Sequence, residues 1–256
     1  MGRPYILLTN DDGINAPGLL ALRHALSEIG DVAVIAPEHD WSAAGHSRTM
    51  HKPLRVRPAK LADGSDALVS SGSPSDCVAL ILLGLLERRP DLVISGINLG
   101  ANVGCDLTYS GTVAAGMESV IGGVSAIAIS LDSYELSDFC PAARFAAYLA
   151  GQVLAAGGGE PLLLNVNVPA LPEGAIKGVQ ITRLGRRIYH DVLVPRADPR
   201  GKAYYWIGGE PPAGLPEEGT DIGALVQGYI SVTPILLDLT YYSKLAALRA
   251  WKLTFY

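Results

Sequence analysis

Asp11 and Asp12 stand side by side at the end of an apolar run, Ile6-Leu7-Leu8-Thr9-Asn10-Asp11-Asp12-Gly13. Adjacent carboxylates repel, and a chain that sets both at a strand's end is most simply explained by a cation between them. A lone Asp-Asp-Gly also has a plainer use, which is to cap a helix starting near Pro17. Two other segments shift the balance towards the cation: Pro37 to Gly45 with Ser42, and Gly96-Ile97-Asn98-Leu99-Gly100, each an oxygen- and glycine-rich loop after an apolar run. Carboxylate, hydroxyl and amide carbonyl are hard ligands that suit magnesium, manganese or calcium and not zinc or copper. Asp11, Asp12, Ser42 and Asn98 are therefore the candidate ligands of one divalent cation.

A second feature is Tyr109-Ser110-Gly111-Thr112, directly before a helical stretch. Ser110 or Gly111 there has the common role of N-cap. The same helix start also offers backbone N–H groups and a positive dipole end to an anion. A phosphate held there, with a cation on its other side, would be clamped between two positive elements, and Gly100 to Gly104 supplies pliable backbone between them.

Other chemistries lack their residues. There is no GxxxxGK[ST], no GxGxxG after the first strand, no GxSxG, no HExxH and no CxxC. Gly96 to Gly100 has the outline of a nucleophile elbow with Asn98 in place of the serine, and an amide is no nucleophile. The adjacency of Asp11 and Asp12 disfavours an aspartyl-phosphatase pattern, whose two aspartates are separated by one intervening residue. Metal-assisted attack by water fits better. Of the histidines, His39 and His46 flank Ser42 and could protonate a leaving alkoxide, whereas His24 lies on a helix and His51 and His190 lie away from these loops.

Short apolar runs at Tyr5–Leu8, Val32–Ala36, Leu92–Ser95, Ala126–Leu131 and Leu162–Val168 read as parallel strands covered on both faces. Helical patterns lie between them: Pro17–Ile29, Asp76–Glu87 led in by Ser75, Thr112–Ile121 and Ala142–Ala155. That rhythm predicts an α/β fold, a doubly wound and mostly parallel sheet, in which ligands bind at the carboxyl ends of the strands near the switch point. Beyond about Arg183 the pattern changes. Arg187–Val194 and Lys202–Ile207 flank Asp198-Pro199-Arg200-Gly201 as a long hairpin carrying Tyr189, Tyr204, Tyr205 and Trp206. A hairpin alone is marginal in water, so its aromatic residues must pack on the parent domain or on another subunit. A loop over Gly208–Gly219, a strand around Ile230–Thr233 and a helix over Tyr242–Lys252 complete the reading. Residues 1–185 are expected to form the core, and residues 186–256 an extension of the same unit.

With 256 residues, 49% of them hydrophobic and 18% charged, the chain can bury a full core. Its net charge of −5 disfavours a polymeric nucleic acid as partner. Cys77, Cys105 and Cys140 are too far apart for a zinc pattern and odd in number for a disulfide framework. With no secretory h-region after Met1, no myristoylation signal and no bilayer-length apolar run, the expected location is the cytoplasm, with no membrane partner.

Five spaced motifs together resemble the stationary-phase survival protein E (SurE) family of nucleoside-monophosphate phosphatases. They are Thr9 to Ile14 with Pro17-Gly18; Ala36-Pro37 followed by Trp41-Ser42-Ala43; Gly72 to Cys77; Ser95 to Gly100; and Tyr109 to Ala114. Thr220-Asp221 and Ser231 to Pro234 extend the likeness almost to the end of the chain. The resemblance implies a Rossmann-like core, homodimers or homotetramers that exchange C-terminal elements, and one Mg2+ or Mn2+ per active site. It places the metal ligands on Asp11, Asp12, Ser42 and Asn98, with Asp11 and Asp12 also catalytic. The phosphate side falls on Asn102, Ser110, Gly111 and Thr112, and Asn15 and His46 are further candidates to line the pocket. Trp41-Ser42-Ala43 departs from the family's commoner Gln-Ser-Gly, which keeps the ligand and leaves base or sugar preference open. The expected substrate is a nucleoside 5'-monophosphate, with 3'-phosphates as an extension. The alternatives are a nucleotide-binding module without turnover and a phosphatase for short polyphosphate.

Overall fold

A computed structural model describes residues 2–135 and 138–255. Its elements in chain order are β1 Tyr5–Thr9, α1 Pro17–Ser27, β2 Asp31–Pro37, β3 Val56–Lys60, β4 Asp66–Ser70, α2 Pro74–Leu80, β5 Leu92–Leu99, α3 Gly111–Ile121 and β6 Ala126–Asp132. There follow α4 Cys140–Ala156, β7 Leu163–Pro169, β8 Val179–Ile181, β9 Arg187–Ala197, β10 Ala203–Gly214, α5 Asp221–Val226, β11 Ile230–Ile235 and α6 Tyr242–Arg249.

The main sheet runs β3-β4-β2-β1-β5-β6-β7-β11-β8. The five strands expected from the apolar runs form its parallel centre, β2-β1-β5-β6-β7. Both faces are covered, which is why these strands are apolar at consecutive positions and not at alternate ones. On β1, Ile6 and Leu8 pack with the buried residues of α1 and α4, while Leu7 packs with those of α2 and α3. Helix α1 turns Leu19, Leu22 and Leu26, each fully buried, to the sheet at helical spacing. Each such side chain contributes about 1.5–3 kcal/mol relative to exposure. After β2 and its neighbours the chain returns to the other side of β1 as β5, so the switch point lies between β1 and β5.

Several expected boundaries move. The Leu92 strand does not stop at Ser95: it continues to Leu99, with a register shift between Ser95 and Asn98 that restores pairing of Asn98 with Ser130 and Leu99 with Leu131. Asn98 therefore sits on a strand and not in a loop. Helix α2 begins at Pro74, because Ser73 caps it in a reciprocal box with Asp76, and it passes into wider turns over Ile81–Leu85. The hairpin strands are longer than expected, β10 reaching Gly214, so more than half of the loop expected over Gly208–Gly219 is strand. Helix α6 ends at Arg249. The short strands β3, β4 and β8 and the helix α5 had no sufficient sequence signal, being three to six residues each. Among the described residues β9 and β10 pair with one another alone, in a two-stranded sheet of their own.

Candidate active site

Asp11 and Asp12 lie just beyond β1 in the crevice at the switch point. Asp11 is 4% exposed, and Thr112 Oγ1 donates to its Oδ1 at 2.5 Å. The Thr112 backbone N–H donates to the same carboxylate. This approach needs Gly111, since a Cβ there would fall 2.7 Å from the Asp11 Cβ. Burial raises the Asp11 carboxyl above its ordinary pKa, against the pull of the Thr112 donors. Burial also pushes the less enclosed Asp12 up to about 7, with Asp11 and Asp40 adding to the rise and a backbone bond from Leu99 opposing it. The charges that act on Asp12, those of Asp11 and Asp40, are both negative, and a cation held by the pair would offset them.

The other candidate ligands come from the neighbouring strand ends. Ser42 is exposed on the loop after β2, and its N–H and Oγ both donate to Asp40 Oδ1 at 2.6 Å, a local turn that leaves the hydroxyl lone pairs available. Trp41 N–H donates to the Asp11 carbonyl and Gly45 N–H to the Tyr109 carbonyl, each at 2.9 Å, tying this loop to both sides of the crevice. At the end of β5, the half-buried Asn98 spends Nδ2 on the Gly100 carbonyl at 2.7 Å, which leaves Oδ1 as an acceptor. Two carboxylates, a hydroxyl and an amide oxygen fit a hard divalent cation. Among the described residues no group of three or more His, Cys, Asp or Glu gathers as a metal cluster, so such a cation would rely on the neutral oxygens and on water.

The helix start is partly committed. Ser110 is the N-cap of α3 and its Oγ accepts from Val113 N–H at 3.1 Å, while the Thr112 donors go to Asp11. In the first turn, among the described residues, this leaves the Gly111 N–H for an anion. Asn102 lies farther along, its Nδ2 donated to Ser130 Oγ and its carbonyl accepting from Asn165 and Asn167, so its side chain anchors the glycine-rich loop to β6 and β7. Asn15 is exposed beyond Asp12. His46 is drawn to the flank of α3, where its Nε2 is 3.0 Å from Glu118 Oε2, and Arg48 takes the other carboxylate oxygen at 3.0 Å. Glu118 is seven positions after Gly111, about 10 Å along the helix axis.

Three supporting residues were given no role by sequence reasoning, although Asp221 stands in the Thr220-Asp221 segment that carries the resemblance. Asp40 orients Ser42 and adds negative charge beside Asp11 and Asp12, and its Asp-x-Ser spacing was the available signal. Glu118 is buried and holds the Ser42 loop through His46 and Arg48. Asp221, fully buried, accepts Gly104 N–H at 2.8 Å and Gly185 N–H at 2.7 Å, joining the glycine-rich loop to the root of the hairpin. Contacts of such long sequence separation leave no local pattern.

A doubly wound sheet with an oxygen-lined crevice at its switch point defines a ligand-binding α/β protein of the Rossmann-like class. The chain matches the family model described as "Survival protein SurE" over residues 6–191. It is 53% identical over 250 residues to a protein of Chloroflexus aggregans named 5'-nucleotidase SurE, covering 97% of this chain and 99% of that one. It is also 53% identical over 237 residues to a protein of the same name from Herpetosiphon aurantiacus, covering 92% and 93%. The crystal structure of the SurE protein from Aquifex aeolicus superposes with a TM-score of 0.82 at 42% identity, covering 97% of this chain and 100% of that one. The chain belongs to the SurE family.

Proposed function

We propose that this protein is a divalent-metal-dependent phosphomonoesterase that hydrolyses nucleoside 5'-monophosphates, and 3'-monophosphates as well, to nucleoside and phosphate. The observation that carries the reading is the carboxylate pair Asp11 and Asp12, enclosed at the switch point beside the start of α3, with Asp40 adding negative charge to both. The name 5'-nucleotidase SurE borne by relatives of about half identity supports the same activity.

One Mg2+ or Mn2+ held by Asp11, Asp12, Ser42 and Asn98 would supply Lewis-acid polarisation of the phosphoryl oxygen and a water of lowered pKa. The chain's own residues do the rest. Thr112 fixes Asp11 through two donors and so sets the orientation of the pair. Asp12, with fewer donors on its carboxylate, keeps lone pairs for a ligand or for the proton of an attacking water. Gly111 N–H, at the positive end of α3, offsets charge on the phosphoryl oxygens, while Ser110 and Thr112 hold that helix start in place and Asn102 holds the adjoining loop. His46 is a wall residue of the Ser42 loop, and Asn15 lines the mouth of the pocket.

Residues 1–185 act as the catalytic core and residues 186–256 as an extension of the same unit. The exposed Tyr204, Tyr205, Trp206 and Ile207 of β10, and Trp251, Leu253 and Phe255 near the C-terminus, support a homodimer or homotetramer. The three free cysteines suit a reducing compartment, and we place the protein in the cytoplasm. No helix among the described residues is long and apolar enough to cross a membrane.

A substrate panel tests the reading. Free phosphate is measured with manganese, with and without chelator, for several nucleoside 5'- and 3'-monophosphates and a short polyphosphate. Chelator-sensitive release from nucleotides is expected. Release from none would favour a binding module, and release from polyphosphate alone the other phosphatase.

A further inference from the structure

Tyr134 lies just beyond β6 and is 76% exposed. Its ring edge comes within 3.2 Å of the point a Cβ on Gly100 would occupy, and the Asn98 amide nitrogen is 4.0 Å from the same point. Gly100, at φ +109, thus gives the tyrosine ring a bare backbone to lie against, beside the last candidate ligand of the cation. The Tyr134 hydroxyl at the far end of the ring lies close enough to the Arg187 guanidinium to favour its charged form, and Arg187 Nε is itself 2.5 Å from Asp106 Oδ2. The result is an aromatic ring laid against backbone along one edge, with most of its surface open to solvent, at the rim of the crevice.

We propose that Tyr134 is the base-stacking residue of the site, the platform on which the nucleobase of a nucleoside monophosphate lies while its phosphate reaches Asp11, Asp12 and Gly111. The assignment rests on the phosphatase reading and adds how a nucleotide is told from other phosphomonoesters. Every nucleobase has a π-face, so a stacking platform favours nucleotides as a class with little choice among bases. Because the ring already lies against Gly100, less side-chain entropy is lost on binding than for a free tyrosine. Tyr109, 61% exposed beside Ser110, is the rival platform. Its backbone is hydrogen-bonded to Gly45 and Asp106, but among the described residues no hydrogen bond or ring contact holds its side chain.

The test compares kcat/KM for a nucleoside 5'-monophosphate and for ribose 5-phosphate, which lacks the base, in the wild type, Tyr134→Ala, Tyr134→Phe and Tyr109→Ala. Tyr134→Ala should lose about tenfold on the nucleotide, chiefly in KM, and little on ribose 5-phosphate, with Tyr134→Phe restoring the nucleotide value. An equal loss on both substrates, no loss on either, or the selective loss appearing in Tyr109→Ala would overturn the assignment. If the wild type releases phosphate from neither substrate, the phosphatase reading fails. Calorimetric binding of the nucleotide then decides the platform alone, an unchanged Kd in Tyr134→Ala overturning it.

Discussion

Thr112 Oγ1 donates to Asp11 Oδ1 at 2.5 Å, and the two residues lie 101 positions apart in the chain, both buried. This bond joins the end of β1 to the first turn of α3, the two halves of the candidate site. It also gives the helix dipole a carboxylate to face, so the α3 start positions Asp11 as much as it attracts an anion.

Replacing Thr112 by Val keeps the shape and removes the donor. A charged group in the interior that loses a hydrogen bond costs about 1–3 kcal/mol. Urea denaturation of Thr112→Val should show a loss of that order together with a fall in phosphate release, and Thr112→Ser should recover most of both. Unchanged stability and turnover in Thr112→Val would show that Asp11 needs no such orientation.

The pKa of the Asp12 carboxyl is raised from 3.8 to about 7, first by burial and then by Asp11 and Asp40. A folded-state pKa above the unfolded value means that the folded protein binds more protons between those two values. The contribution to stability is present below the unfolded pKa and lost as pH rises towards the folded one. Chelated protein should therefore melt at a lower temperature at about pH 8 than at about pH 5, and added manganese should raise the melting temperature more at the higher pH. A cation effect equal at both pH values would contradict the placement of the pair.

His46 and Arg48 share the buried carboxylate of Glu118, so His46 serves the loop and not proton transfer. His46→Gln should keep kcat within about tenfold of wild type, below the 10²–10⁴-fold usually supplied by a general acid, and leave the pH profile of kcat in place. A loss of the larger size, with one limb of the profile gone, would make His46 the acid.

The sequence carried much of this account, and its limits follow from range. The β1, β2, β5, β6 and β7 strands and α1 to α4 were legible because burial on both sheet faces and helical spacing write long local patterns. The four candidate ligands were legible because each sits at a strand end or the loop after it, in an oxygen-rich stretch. The short elements β3, β4, β8 and α5 were not, since their formation depends on neighbours in the sheet. The commitments of Thr112 to Asp11, His46 to Glu118 and Asn102 to Ser130 join residues at least 28 positions apart, and no local spacing encodes them.

Cysteine chemistry gives an independent check on the packing beneath the site. Cys77, on α2, is fully buried and its thiol is pushed up to about 12 by burial, while Cys105 and Cys140 are exposed. Alkylation of the native protein should modify the exposed pair and spare Cys77, which reacts only after denaturation. Mass spectrometry showing prompt labelling of Cys77 would mean that α2 does not seal this face of the sheet.

The central claim is that Asp11 and Asp12 act together as the acidic half of a phosphate-hydrolysing site, and the most direct measurement is phosphate release by Asp12→Asn. In chelator the variant should fold and melt at least as well as the wild type, and it is then assayed on a nucleoside 5'-monophosphate at saturating manganese. It should lose at least about a hundredfold in kcat. Full turnover by a folded Asp12→Asn protein would contradict the account.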